Sequence, residues 1–298
     1  MKKKRNYKRH ITLKGVCRLF VCMVAVILFV IFLLKRQIVP KIPENSNEAE
    51  EFRQMYLTED IMGRWHKICG QTEEDPYYVL AVLMAASSFG QKKEEKTIAP
   101  KTVEEYDKWK EYYQSRQKEE LSILAESYKT ILADLVYFPV MKNSKQASFG
   151  ISYADSWYAE RAYQDTTHAH EGTDIMALNN ERGYYPIVSM TDGVVENIGW
   201  LEKGGYRIGV RSPHGAYFYY AHLYRYAEGI KKGDIVKAGQ LLGFMGDSGY
   251  SKVEGTVGNF DVHLHLGIYL KTEHFEELSV NPYWILRQMD SKVLQFSD

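Results

Sequence analysis

Three textures of apolar and polar positions follow one another along the chain. Residues 19–34 read LFVCMVAVILFVIFLL without a charge. Extended back through Val16 and Cys17, the run approaches the roughly 17–25 residues that span a bilayer as a helix, and Arg18 near its start can snorkel. The second texture is helical. The apolar run YYVLAVLMAA follows Asp75-Pro76, an aspartate cap with proline at the first helical position. At about ten residues it is too short for a second span. Thr102 and Glu105 form a T-x-x-E capping box. Beyond it Tyr106, Trp109 and Tyr113, then Leu121, Leu124, Tyr128, Ile131 and Leu135, recur at steps of three and four, the signature of buried helix faces. Gln117 and Glu120 fall where the stripe asks for apolar residues, which predicts a break near 114–118. Pro139 ends the helical region.

From about residue 147 short apolar-aromatic runs alternate with glycine turns. Asp192-Gly193 in PIVSMTDGVVENIGW predicts a hairpin, and Ser212 to Gly215 a turn between two strands. KKGDIVKAGQLLGFMGDSG reads as a glycine-spaced strand series. The fold class expected is a mainly β domain with antiparallel sheets, glycine-rich turns and an open groove, preceded by a transmembrane helix and an α-helical region. The boundaries expected are a basic tail at 1–15, an anchor at 16–36, a polar stalk at 37–58, the helical region at 59–146 and the β domain at 147–298.

Charge orients the anchor. Lys2, Lys3, Lys4, Arg5, Lys8, Arg9, Lys14 and Arg18 precede or open the apolar run, and only Lys35, Arg36 and Lys41 follow it closely. The positive-inside rule then leaves the N-terminus cytoplasmic and everything after about residue 36 outside the cell membrane. A cleaved signal peptide is the alternative, but the run leads into KRQIVPK, which lacks the small residues of a cleavage site. The 298 residues suit one catalytic domain plus something smaller, and 45% apolar residues suffice for a core. A formal net charge of zero argues against a general nucleic-acid binder. Of the three cysteines only Cys69 lies in the body of the chain and no CxxC occurs, so a metal has to be held by histidine and carboxylate.

Candidate chemistry sits in the C-terminal half. His170 and Asp174 lie in HAHEGTDIMA, His222 in YYAHL, and His263 and His265 in DVHLHLGIY. Three such groups can bind one zinc ion with a position left open, and two more can handle protons beside it. In a straight strand the Cα atoms of His170 and Asp174 would stand about 13 Å apart, at about 3.3 Å per residue. One zinc needs the chain to bend between them, and Gly172 is placed to permit it. Alone, H-x-G-x-D also describes a turn with a surface aspartate. His168 shares a face with His170 in a straight strand and is the alternative ligand. His263 and His265, two apart, face one side with Gly267, while Val262, Leu264 and Leu266 face the other, so one imidazole can ligate while its neighbour stays free. Alternation puts His222 on the face of Phe218 and Tyr220.

In this order HEGTD, YAHL and HLHLGIY resemble the lysostaphin-type zinc endopeptidases that cut bacterial peptidoglycan, over about residues 147–285. The resemblance implies that His170, Asp174 and His265 ligate Zn²⁺, that His222 and His263 are the catalytic pair, and that the substrate is a peptide bond of peptidoglycan. VKAGQLLGFMGDSG is similar to the family as well. No HExxH occurs, so an imidazole has to act as base: His263 would take the proton of the attacking water and His222 would hold or protonate the oxyanion. The stretch YSKVEGTVGNFDV before His263 is longer than the family's usual turn and is a candidate lining of the groove. The alternative is a non-catalytic or dual-role envelope or sporulation scaffold, with the helical region binding an envelope protein. A lipoyl- or biotin-carrier module, which GDIVKAGQLLGFMG resembles superficially, leaves the histidines unexplained.

Overall fold

A computed structural model of the chain describes residues 23–24, 40–90, 99–145, 150–163 and 166–297. The anchor expected at 16–36 lies outside these residues, apart from Met23 and Val24, and so does the basic tail. Among the described residues no helix is long and apolar enough to cross a membrane.

Among the described residues from 40 on, five helices come first: α1 (Glu50–Arg53), α2 (Glu59–Cys69), α3 (Pro76–Ala86), α4 (Val103–Arg116) and α5 (Lys118–Leu132). The expected caps form. Asp75 Oδ1 accepts the backbone N–H groups of Tyr77 and Tyr78 at 2.8 and 3.0 Å, and α3 is buried from Val79 to Ala86. Thr102 Oγ1 accepts the N–H of Glu105 at 3.2 Å, and Glu105 reaches back one residue beyond the cap to Lys101 N–H. The expected break falls at Gln117, whose backbone leaves the helix at φ −145°. Its amide has a partner that explains the departure: it accepts from Ile42 N–H at 3.0 Å and donates to Ile42 C=O at 2.7 Å.

That clamp overturns the stalk expected at 37–58. From residue 41 on the segment packs on the core, with Ile42, Phe52, Met55 and Leu57 fully buried and Phe52 5.1 Å from the Tyr128 ring. Polar neighbours mask four apolar anchors spaced widely enough to escape a composition reading. The described residues from 41 on form one compact unit. Its apolar core runs without a break from α3 and α5 into the sheet, through Leu121, Leu124, Tyr128 and Ile131.

The main sheet is antiparallel. Its path runs β10 (Ile235–Val236), β7 (Gly193–Leu201), β8 (Gly205–Arg211), β9 (Tyr217–Tyr226), β12 (His263–Leu270), β5 (Thr173–Ala177) and β2 (Ile151–Tyr153). β11 (Leu241–Met245) pairs with β9 and with β6 (Pro186–Val188), and β13 (Leu278–Val280) with β12. A separate hairpin of β3 (Glu160–Tyr163) and β4 (Thr166–Ala169) stands beside it. At the edge of the unit β1 (Lys142–Asn143) runs parallel to β14 (Gln295–Phe296), after a last helix, α6 (Tyr283–Met289).

The turn expected at Ser212 to Gly215 joins β8 to β9, closed by Ser212 N–H to Ala216 C=O at 2.8 Å. The hairpin expected at Asp192-Gly193 does not form. β6 and β7 pair with β11 and β8 instead, because the Asp192 carboxylate turns away to accept from Ala238 N–H at 2.9 Å and from Lys237 Nζ at 2.8 Å.

Candidate metal centre

Register builds the centre. His265 on β12 is directly opposite Asp174 on β5, and His263 opposite Met176, so both histidines and the aspartate leave the sheet on one face. Leu264, Leu266 and Ile268 point into the core from the other face, as the alternation in HLHLGIY predicts. His170 follows β4, and its imidazole reaches the same place. The donor atoms His170 Nε2, Asp174 Oδ1 and His265 Nδ1 stand 3.0 Å from one another on all three edges. His168 is not part of this cluster.

These donors fit a dication. Ligands at about 2.0–2.2 Å in a tetrahedral site stand roughly 3.3 Å apart, close to the triangle seen. His170 Nδ1 lies 3.1 Å from Ser156 C=O, to which its N–H donates, so a lone pair remains at Nε2. Three electron-rich atoms then converge where few protons are available to share among them. Burial pushes the Asp174 carboxyl up, but its hydrogen bonds with His170 and His265 and the pull of His265 and His263 outweigh burial and hold it below the usual carboxylate range. Its second oxygen accepts from Arg161 Nη2 at 3.0 Å.

Gly172 has a different role from the one its sequence context suggests. It does not adopt the left-handed conformation. What it supplies is room: a Cβ there would meet His265 Cε1 at 2.4 Å and Leu266 O at 2.7 Å. Gly172→Ala should therefore displace the His265 ring, weaken metal binding at least tenfold and cost roughly 1–3 kcal/mol of stability by overpacking. A metal titration together with urea unfolding checks this, and unchanged affinity would mean that the ring can stand aside.

His222 departs from simple alternation. Phe218 and Tyr220, its expected companions, are in the core. A bulge sets Ala221 and His222 of β9 against Arg207 of β8, and His222 takes φ +60°. Such a conformation costs a β-carbon residue about 1–3 kcal/mol. It turns the imidazole to the groove face, 4.7 Å from the His263 ring between centroids. The Nδ1–H of His222 donates to Ser248 C=O at 2.8 Å and that of His263 to Asp261 C=O at 2.7 Å. Each ring therefore presents Nε2 as an acceptor. Burial, with His263 and His265 alongside, pushes His222 well below the ordinary imidazole range. Burial also lowers His263, against the opposing pull of Asp174. Both rings are thus neutral bases at neutral pH.

A groove of about 900 Å³ opens over these side chains. Of the stretch after Gly249 only the two ends line it, Tyr250 and Asn259 to Asp261: Tyr250 stacks on His222 at 5.9 Å, and the Phe260 ring stands 4.7 Å from His222 and 5.1 Å from His263. Among the described residues the lining comes from 161–269, so no described part of the helical region covers it. Nothing in the sequence singles out Arg161 or Ser156. Neither stands in a recognisable motif, and their partners are known only once β3 and the preceding loop are placed.

A profile of Peptidase family M23 matches residues 168–281. A crystal structure of the lytM protein of Ruminococcus gnavus, provisionally described as a glycyl-glycine endopeptidase, is 43% identical, with 85% of this chain and 96% of that chain covered and a TM-score of 0.71. The chain belongs to peptidase family M23. Coverage of 85% exceeds what the strand region supplies, so the likeness to this M23 relative includes helices. The L-Ala–D-Glu endopeptidase of Bacillus subtilis is 44% identical over 136 residues, 46% of this chain and 40% of that protein. Lysostaphin of Staphylococcus simulans is 38% identical over 68 residues, 22% of this chain and 13% of that protein. The chain thus spans less than half the length of these curated M23 relatives. All five groove side chains lie inside the M23 match, while Arg161 and Ser156 precede it.

Proposed function

We propose that this M23 protein is a membrane-anchored, zinc-dependent endopeptidase that hydrolyses peptide bonds of bacterial cell-wall peptidoglycan. The observation that carries the reading is the 3.0 Å triangle of His170 Nε2, Asp174 Oδ1 and His265 Nδ1 with two neutral imidazoles beside it. In this reading the triangle holds the zinc. Bound there, zinc would lower the pKa of a water to about 7 and polarise the scissile carbonyl. His263 accepts the water's proton at Nε2 and returns it to the leaving amine. His222 faces the same space. Where the water's proton is taken up at His222 Nε2 instead, that new N–H donates to the developing oxyanion. Tyr250 over His222 and Phe260 beside both rings keep solvent off them, which disfavours the imidazolium form and leaves each ring neutral with a free acceptor.

The activities for which the relatives are named, on glycyl-glycine and L-Ala–D-Glu bonds, are both peptide-bond cleavages, and they support the substrate class proposed for this chain. The apolar run at 16–36 and its basic flank support a single-pass anchor with the N-terminus cytoplasmic and the groove facing the wall. The exposed surface of the helical region is left for an envelope partner. The complete set of five side chains weighs against a purely scaffolding role.

Purified protein incubated with purified peptidoglycan is expected to release new amino termini, to stop on addition of a chelator and to resume on addition of zinc. A zinc-loaded preparation that frees no amino groups overturns the proposal. Mass spectrometry of the fragments names the bond.

A further inference from the structure

We infer that Arg53, in the helical part of the chain and outside the M23 match, is a positioning residue for His170; the inference rests on the metal-binding reading of His170. Arg53 ends α1. Its Nε donates to Ser279 C=O at 2.9 Å, and its Nη2 to Ser279 Oγ at 3.0 Å and to the Tyr158 hydroxyl. The guanidinium lies 5.8 Å from the Trp157 ring centroid and 5.1 Å from that of Tyr158. The Arg53 C=O accepts Asn281 N–H at 2.8 Å. Buried Asn281 in turn donates from Nδ2 to Asp155 Oδ1 at 3.1 Å, and that oxygen also accepts Trp157 N–H at 3.2 Å. Residues 155–158 are pinned from two sides.

Two of these four residues, Ser156 and Tyr158, hold His170 together with Ala159. Ser156 Oγ and C=O lie 3.0 and 3.1 Å from His170 Nδ1, and Tyr158 N–H donates to His170 C=O at 2.9 Å. His170 N–H donates to Ala159 C=O at 2.9 Å. The loop belongs to no strand; within it Ala159 N–H donates to Ser156 C=O at 3.1 Å, and Tyr158 sits at φ +59°, a conformation that persists only where surroundings enforce it. Arg53 grips the side chain of that residue. The path from α1 to the metal site is therefore Arg53 to Tyr158 and Trp157, then Ser156, then the His170 ring. Groups that orient a ligating imidazole through its second nitrogen set its tautomer and aim, and with them the metal affinity.

Cobalt titration of the full-length chain in detergent tests this, with affinity and the d–d absorption read together. Arg53→Ala should weaken cobalt binding by about tenfold and shift the absorption. Arg53→Lys keeps a charge over the rings without the fork and should fall between parent and alanine variant; it also carries the comparison if Arg53→Ala does not fold. In a Ser156→Ala background, Arg53→Ala should add little further loss, because the path is already cut. Parent affinity and spectrum in both Arg53 variants, or losses that simply multiply in the double variant, overturn the inference. His170→Ala run alongside separates the two claims: if it retains cobalt like the parent, the metal-binding reading itself fails.

Discussion

Asp174→Ala is expected to lose both bound zinc and hydrolysis of peptidoglycan. Asp174 brings the one carboxylate of the donor triangle, and Oδ1 touches both imidazole nitrogens at 3.0 Å. Its removal leaves two neutral rings and frees the Arg161 guanidinium, until then bound to Oδ2, to repel a dication. Lewis-acid stabilisation is worth several kcal/mol, so turnover should drop by ~10³-fold or more. Elemental analysis of the purified variant, paired with the peptidoglycan assay, decides the matter. Stoichiometric zinc in Asp174→Ala would remove the carboxylate from the ligand set.

His263→Ala should behave in the opposite way towards metal. Its ring lies beside the triangle without joining it, with Nε2 3.7 Å from Asp174 Oδ1. Zinc content should stay at the parent level while turnover falls by about 10²–10⁴-fold, the range for loss of a general base. Burial holds the ring neutral, and Asp261 C=O fixes its proton on Nδ1, so no neighbouring group replaces the acceptor at Nε2 except His222. Residual activity in His263→Ala that disappears in the His222, His263 double variant would show the two rings sharing the task. Full activity in His263→Ala alone contradicts the assignment.

Local features of the fold were legible in the sequence where the cause is local. The caps at Asp75 and Thr102, the break at Gln117 and the two-faced strand around His263 and His265 each depend on a few consecutive residues. The features that escaped depend on distant partners. The clamp that packs Ile42 on the core comes from Gln117, 75 residues away. Asp192 gives up a hairpin for Ala238, 46 residues on. His222 reaches the groove through a bulge that alternation cannot signal, since the extra residue is defined only against β8. The sequence context of Gly172 suggests conformational freedom, whereas the His265 ring beside it requires its lack of a Cβ. Arg53 and Ser279 are 226 positions apart and share no motif.

The pairing of β5 with β12 has one more consequence. Asp174 and His265 are separated by 91 residues and become neighbours only when both strands have docked. The donor triangle is therefore complete only in the finished sheet. A nascent or extended chain lacks it, and with it, on the proposed reading, any means of hydrolysis.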